Sequence, residues 1–225
     1  MSDPDVRKET TRILRNKSQA KAIEQGKLVE STNSLSAEDF FGKYEPLMST
    51  LDDNLGLRQT RGDAVTVPSH WLEECLKLIE QTSAKDYQNS EMKWSATKKR
   101  KEMKLPDMKY IILSESKGRR VIGFISFMIT YEDGYEVVYI YEIHFVPEWQ
   151  GKGLGQKLIN FVETIGQNVG VTKVMLTVFR ANYRAIAWYT RLGYREDEFS
   201  PEPRQMRNGT ITQPSYIILS KRLKD

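Results

Sequence analysis

The sequence predicts a mixed α/β (α+β) layer, a mostly antiparallel sheet flanked by helices, with a helical arm at the N-terminus. Three observations predict it. Runs rich in β-branched and aromatic residues follow one another at Met108 to Leu113, Val121 to Thr130 and Val137 to Val146, the composition of paired strands. At Gly153 the apolar spacing changes to 3.6 residues per turn through Leu154, Leu158, Phe161, Val162, Ile165 and Val169, so a strand feeds a helix. Lys173 to Phe179 and Ser215 to Ser220 then read as strands on either side of a short helical pattern, giving the order β-β-β-α-β-α-β and one layered domain.

Taken from the N-terminus, residues 1 to 35 are rich in Lys, Arg, Gln, Glu and Ala with sparse apolar positions such as Val6, Ile13, Leu14 and Ile23, which reads as a helical arm with a weak seam. Ser31-Thr32-Asn33-Ser34 is the first loop signal, and residues 36 to 225 form the main globular domain. The stretch from Ala37 to Val67 shows no clear period. Pro68-Ser69 opens a helix whose Trp71, Leu72, Cys75, Leu76 and Ile79 recur at helical spacing, most simply a core stripe. Lys117-Gly118 and Asp133-Gly134 mark turns between the three consecutive strands, and Asn182 to Leu192 is a helix closed by Gly193.

Composition narrows the function classes. The 225 residues are 39% apolar and 28% charged with 14 Gly and 8 Pro, which excludes collagen-like, low-complexity and wholly disordered chains. Cys75 is the single cysteine, so no intramolecular disulfide is expected, and with only His70 and His144 no zinc site is expected either. The opening Met1-Ser2-Asp3-Pro4-Asp5 is polar and no apolar run nears the roughly 18 residues of a membrane span, so a cytosolic or nuclear protein is expected. A net charge of +4 is too modest to argue for non-specific nucleic-acid binding. Its distribution says more: residues 93 to 104 hold six basic side chains, whereas Glu132, Asp133, Glu136, Glu142 and Glu148 crowd the segment after Gly123. Acidic residues near a site favour a cationic substrate.

The junction Ile143-His144-Phe145-Val146-Pro147-Glu148-Trp149-Gln150-Gly151-Lys152-Gly153-Leu154-Gly155-Gln156 is a strand ending in a Gly-rich turn at a helix start. Glycines let backbone N–H groups approach a ligand, and the helix dipole adds partial positive charge. A pyrophosphate cradle and a ligand-free tight turn both fit that spacing. A Walker A loop and a dinucleotide fingerprint do not.

Gln150-x-x-Gly153-x-Gly155 after a strand resembles the acyl-CoA signature of the GNAT N-acetyltransferases, and Asn182-x-x-Ala185 with Trp188-Tyr189 and Leu192-Gly193-Tyr194 is similar to that superfamily's second CoA-contacting helix. The resemblance covers roughly Pro68 to Leu223 and implies a GNAT-type fold in which acetyl-CoA lies where two central strands splay apart, its pyrophosphate on Gly151 to Gln156. Four further segments, from Tyr87 to Trp94 with Lys98 to Met103, from Tyr139 to Glu142, from Val174 to Phe179 and from Ser215 to Ser220, resemble the NatD branch, N-alpha-acetyltransferases of the N-terminal serine of histone four and histone two-A. That similarity implies that Tyr87, Tyr141, Thr177 and Tyr216 line a peptide pocket, with Thr130 and Glu132 where relatives have an acid. It further implies Glu142 beside the reacting amine, and acetyl-CoA held by Ile143, His144, Phe145, Gln150, Gly151, Lys152, Gly153, Leu154, Gly155, Gln156 and Asn182. Partners implied are histone tails of the Ser-Gly-Arg-Gly type, with ribosome association a further expectation and neither DNA nor membrane; localisation would be nuclear and cytoplasmic. A GNAT enzyme acting on a lysine side chain or small amine, and an acyl-CoA-binding module without turnover, stand as rival readings.

Glu142 is the lone acid between Val137 and Val146, so burial is expected to raise its pKa and make it a usable base, against the alternative of a salt-bridged strand residue. Tyr141 and Tyr189 complete the catalytic set, Tyr189 standing where many GNAT enzymes place the tyrosine that protonates the departing thiolate. The oxyanion is expected on a strand N–H near Ile143, freed by a bulge. His144 has no acidic partner in evident reach and reads as structural apart from its place at the cofactor, Tyr139 reads as core, and Cys75 on a core stripe leaves a covalent acyl route unsupported, favouring direct attack in a ternary complex. Lys98-Lys99-Arg100-Lys101 is either a solvated helical face or a nuclear localisation patch.

Overall fold

The computed structural model describes residues 28–46, 56–116, 120–205, 207 and 209–223. Its elements are α1 (Leu28–Asn33), α2 (Ala37–Tyr44), β1 (Leu57–Asp63), α3 (Ser69–Gln88), α4 (Ala96–Glu102), β2 (Lys109–Glu115), β3 (Val121–Glu132), β4 (Tyr135–Phe145), α5 (Leu154–Val169), β5 (Lys173–Phe179), α6 (Tyr183–Arg191), β6 (Arg195–Glu196), β7 (Arg204–Gln205), β8 (Ile211–Thr212) and β9 (Tyr216–Arg222). Among the described residues, seven strands form one sheet in the order β1-β2-β3-β4-β5-β9-β6, and β7-β8 is a separate ribbon. Every pairing in the large sheet is antiparallel except β4 with β5, the mixed, mostly antiparallel arrangement the sequence predicts.

The expected strands β2 to β5 and β9 are all present. Asp133 and Gly134, at φ 48° and 84°, make the two-residue hairpin turn between β3 and β4. The Lys117-Gly118 turn lies outside the described residues, as do residues 1–27 of the expected arm. The end of that arm needs a correction: Ser31, Thr32 and Asn33 close α1 rather than forming a loop. Val29 and Thr32 are buried, and the Asn33 side-chain amide donates to the Ile129 carbonyl on β3 at 2.9 Å, so packing against β3 overrides local loop preference.

Two elements stand in the stretch without a clear period. Ser36 caps α2 by accepting from the Asp39 N–H, and Phe40 and Phe41 bury there. β1, Leu-Arg-Gln-Thr-Arg-Gly-Asp, pairs in full register with β2. As an edge strand of polar residues it takes its conformation from its neighbour's hydrogen bonds rather than from its own apolar pattern.

The geometry of the candidate site begins in β4. Ser126 of β3 pairs with Glu142 but Phe127 pairs with Ile140, so Tyr141 is one residue extra on β4, a β-bulge. That residue switches the alternation. Val138 faces α5, close to Gly166, yet Glu142, also even-numbered, meets Tyr87 of α3. The parallel pairing of β4 with β5 stops at Ile140 and Leu176. Beyond it Tyr141–Phe145 has no partner on β5, while Thr177–Phe179 continues on β9 alone. The two strands splay, and the glycine turn and the N-terminus of α5 follow directly.

Candidate active site

The turn that follows β4 holds Gly151 and Gly153 at φ 73° and 79°, a left-handed conformation that only glycine adopts without strain. A Cβ added at either would meet nothing within 4 Å; the space above the turn is open. Gly153 is the N-cap of α5 and no side chain caps that end, so the first amides of the helix point outward with the positive end of its dipole. This is what a diphosphate needs, and the residues fit acetyl-CoA's pyrophosphate. Gly155 has a different task. A Cβ there would lie 3.2 Å from the Trp188 ring, so this glycine lets α6 close on α5.

Of the other residues expected at the cofactor, Gln150 turns its amide to the Phe145 carbonyl at 2.9 Å, closing the end of β4 with its own side chain. Asn182 caps α6, its Oδ1 accepting from the Ala185 N–H at 3.1 Å. Lys152 lies over the Trp149 ring at 4.4 Å. Ile143 is half-buried and Phe145 and Leu154 are buried in the core cluster, so these three contribute backbone to the cleft. Gln156 lies in the first turn of α5.

Glu142 is the centre of the polar site. Its side chain is 7% exposed, and Lys99 Nζ lies 2.7 Å from Oε1 while His144 Nε2 lies 2.6 Å from Oε2. The Tyr87 hydroxyl adds a longer bond to Oε1 at 3.2 Å and itself accepts from Lys99 at 2.7 Å. Burial pushes the Glu142 carboxyl upward, but the His144 hydrogen bond and the Lys99 charge outweigh it and hold the carboxyl at about 2, against an ordinary 4.5. The expected raised pKa is therefore wrong. The sequence could not show that a cation from a helix 40 residues away reaches the acid, and a paired carboxylate ionises more easily, not less.

Three residues emerge with partners the sequence did not assign. Lys99, one of a tetrabasic run, is 6% exposed and bridges Glu142 and Glu102; burial works against its ammonium, but Glu142, Tyr87 and Glu102 raise it above the usual lysine range. Arg100 forks onto Glu73 at 2.8 and 2.9 Å, so two of the four cations are engaged within the domain rather than on a solvated face. His144 does have an acidic partner, two residues back on the same strand face. Its Nδ1 meets Thr82 Oγ1 at 2.7 Å, and Thr82 also lies 2.7 Å from the Leu78 carbonyl. The single hydroxyl hydrogen of Thr82 can serve the imidazole or the carbonyl but not both.

The expected peptide-pocket residues gather on the same side. Tyr139 and Tyr141 rings are 5.3 Å apart, and the Tyr139 hydroxyl bonds Thr177 Oγ1 at 2.6 Å, so Tyr139, read as core, belongs to this wall. Burial pushes the Tyr139 phenol up to about 12, the Thr177 bond opposing, with Glu132, Tyr141 and Tyr216 adding to the rise. Burial and Glu132 likewise raise Tyr141. Register places Met128 opposite Tyr139, so Thr130 and Glu132, two and four residues on, share that face. Glu132 is the one whose charge reaches the tyrosines; burial and Asp133 raise its own carboxyl. Tyr87 stands edge-on to Phe179 at 4.9 Å. Tyr189 is buried between Trp188 and Tyr194, and burial with the Glu142 charge lifts its phenol well above the ordinary range, so it keeps its proton.

Elsewhere, a cavity of about 390 Å³ lies at the start of β5, lined by residues that include Tyr135, Lys173, Asp197 and Arg222. It is at the opposite end of the strand from the splay, and its Lys173–Asp197 pair at 2.7 Å ties β5 to the segment after β6. Cys75 is buried and burial pushes its thiol up, so it stays a core residue. No group of three or more His, Cys, Asp or Glu side chains suited to a metal occurs among the described residues.

The Glu142 pairing has a consequence for stability. A carboxyl depressed from 4.5 to about 2 contributes stability that is full above pH 4.5 and lost as pH falls toward 2. The melting temperature of the wild-type protein should therefore drop more steeply over that window than that of Glu142→Gln, which has nothing to titrate there; parallel curves would mean that the pair is not formed.

The yeast N-alpha-acetyltransferase 40 of Saccharomyces cerevisiae is 30% identical to this chain over 175 residues, 67% of the chain and 58% of the yeast protein. A thialysine N-epsilon-acetyltransferase from Mus musculus is 30% identical over 83 residues, 36% of the chain and 49% of that enzyme. The chain thus spans about half the length of these two relatives. Among solved structures, the PaiA N-acetyltransferase of Thermoplasma acidophilum in complex with coenzyme A superposes with a TM-score of 0.53 at 17% identity, covering 74% of the chain and 98% of the other protein, a likeness of fold. The model of the Acetyltransferase (GNAT) family matches residues 70–194, from the first turn of α3 through the bulge, the splay and the glycine turn to the end of α6, and the chain belongs to that family.

Proposed function

We propose that this GNAT acetyltransferase uses acetyl-CoA to acetylate the free α-amine of a protein N-terminus, that of histone four and histone two-A with Ser-Gly-Arg-Gly at the start. The observation that carries it is the position of Glu142: an ionised carboxylate at the bulge where β4 leaves β5, on the strand that leads to the glycine turn, and bonded by Tyr87. The similarity to N-alpha-acetyltransferase 40 supports the choice of acceptor. Nucleus and cytoplasm are where such substrates occur.

Acetyl-CoA, when bound, supplies an acetyl group activated as a thioester. Gly151 to Gln156 would hold its pyrophosphate on open amides, and Trp188, beside Gly155, would floor the cleft. Glu142 then has two tasks. It orients the amine by hydrogen bonding, and it stabilises the positive charge that the nitrogen acquires as it attacks, after which that proton is easily lost. An acid held near 2 suits the second task better than that of a strong base. The β4 amides beyond Ile140 that point away from β3 have no partner on β5 and are available to a developing oxyanion. The proton that the nitrogen releases passes through solvent to the departing sulfur, with the protonated Tyr189 as a hydrogen-bond donor to it that ends the cycle neutral. Glu132 and the tyrosines Tyr87, Tyr141 and Tyr216 with Thr177 give a narrow, anionic, hydrogen-bonding pocket for a small first residue and a basic third.

The test is acetyl transfer to peptides that differ only in their first four residues, beside an N-terminally blocked histone peptide with a free internal lysine. Turnover of the free Ser-Gly-Arg-Gly peptide and none of the blocked one is expected. A change of the third residue from Arg to Glu should raise KM, more at low salt than at high. Equal use of the blocked peptide would favour a lysine or small-amine acceptor, the chemistry of the thialysine enzyme it is similar to.

A further inference from the structure

α4 is a seven-residue helix of Ala-Thr-Lys-Lys-Arg-Lys-Glu held by the Ser95 cap, and by composition it belongs wholly on the surface. Lys99 nevertheless points inward, 6% exposed, and places its ammonium at 2.7 Å from each of Tyr87 Oη, Glu102 Oε1 and Glu142 Oε1. All three hydrogens of the ammonium are accounted for by these partners. Burying a lysine is costly unless it is paired; the ammonium also lies 4.8 Å from the Tyr87 ring centroid, but two of its three hydrogen-bond partners are carboxylates, and of these Glu142 is the buried one. Its placement serves the acid.

We infer that Lys99 is a positioning residue of acetyl transfer, fixing Glu142 in its ionised form and in the rotamer that faces the acceptor amine, with Tyr87 as the third member of the clamp. This rests on the proposal that Glu142 faces the amine. The groups facing Glu142 are Lys99 and, through it, Glu102 from α4, Tyr87 from α3, His144 from β4, and, at longer range, Tyr110 from β2 and Tyr189 from α6. Lys99 is the fixed cation among them. Without it the carboxylate, buried, takes up a proton at higher pH, and the neighbouring amine, relieved of a like charge, also holds its proton to higher pH. Both effects move activity in one direction: the acid limb of the kcat profile shifts toward higher pH.

The experiment compares Lys99→Met, Lys99→Arg, Glu142→Gln and the double variant Lys99→Met/Glu142→Gln in full-length protein, reading kcat against pH and acetyl-CoA affinity by calorimetry. Lys99→Met should lower kcat at pH 7 by about 10- to 100-fold and raise the acid limb by about one pH unit or more, with acetyl-CoA affinity unchanged; Lys99→Arg should keep the wild-type profile. Because Lys99→Met leaves a buried carboxylate alone, it can also unfold the chain. The double variant, with a neutral pair, removes that obstacle: adding Lys99→Met to Glu142→Gln should cost no further activity if Lys99 acts through Glu142. A wild-type profile in Lys99→Met, or a loss that multiplies in the double variant, overturns the inference. Full activity in Glu142→Gln overturns instead the proposal that Glu142 serves the amine.

Discussion

Replacing Glu142 by Gln should lower turnover at pH 7 by about 10²- to 10⁴-fold while acetyl-CoA affinity stays within about twofold. The separation follows from where the residue sits. Glu142 lies at the bulge, on the α3 side of the sheet, with Tyr87 and Lys99, whereas the turn proposed to hold the diphosphate is made by backbone at 151–156 with no contribution from that side chain. Gln is isosteric and its carbonyl oxygen can still accept from Lys99, but it carries no charge to balance a nitrogen turning positive, and its amide can meet His144 Nε2, which lies 2.6 Å from Oε2, only as a donor. Calorimetry with acetyl-CoA and initial rates with a Ser-Gly-Arg-Gly peptide check the two halves. Wild-type turnover and pH profile in a folded Glu142→Gln protein would make the carboxylate a structural strand residue.

Replacing Gly153 by Glu should weaken acetyl-CoA binding by about 100-fold or more, since a carboxylate would stand in the open space above the turn, where like charge against a diphosphate costs several kcal/mol. Gly153 adopts φ 79°, so part of any loss could come from strain. Gly153→Asn separates the causes: Asn tolerates the left-handed region, adds no charge, and should keep most of the affinity. Gly155→Glu should also weaken binding, but through the Trp188 ring 3.2 Å away, so it should lower the melting temperature as well, while Gly153→Glu lowers it less. Unchanged calorimetric affinity in a folded Gly153→Glu protein would remove the cradle from the cofactor site.

Why the glycine turn could be read from sequence and the charge state of Glu142 could not is a matter of range. Gly151, Gly153 and the apolar face of α5 act within a dozen residues, and backbone conformation, cap and dipole are local properties of those residue types. The strands β2 to β5, the hairpin at Asp133-Gly134 and the helix capped by Asn182 were legible for the same reason: period and turn chemistry are written next to the element they form. β1 was not, because an edge strand of Arg, Gln, Thr and Asp acquires its shape from β2. Lys99 carried no local mark at all. Its run reads as solvated, and only the packing of α4 on α3 decides that one of four cations turns in while Arg100 turns to Glu73.

The sequence by itself determined the layered fold and the glycine turn, since these depend on periodicity and on what a residue can do with its own backbone, while the candidate list of an acid among tyrosines was what the family resemblance of its segments implied. The tertiary structure alone decided that β4 gains one residue at Tyr141, so that Glu142 leaves the face of Val138 and turns to α3. It alone decided that this acid is met by Lys99 and His144 and held ionised, opposite to what burial by itself dictates. A pKa is set by charges within a few ångströms in space, and those charges come from residues 43 positions apart and two positions apart on a kinked strand, distances that chain order does not encode.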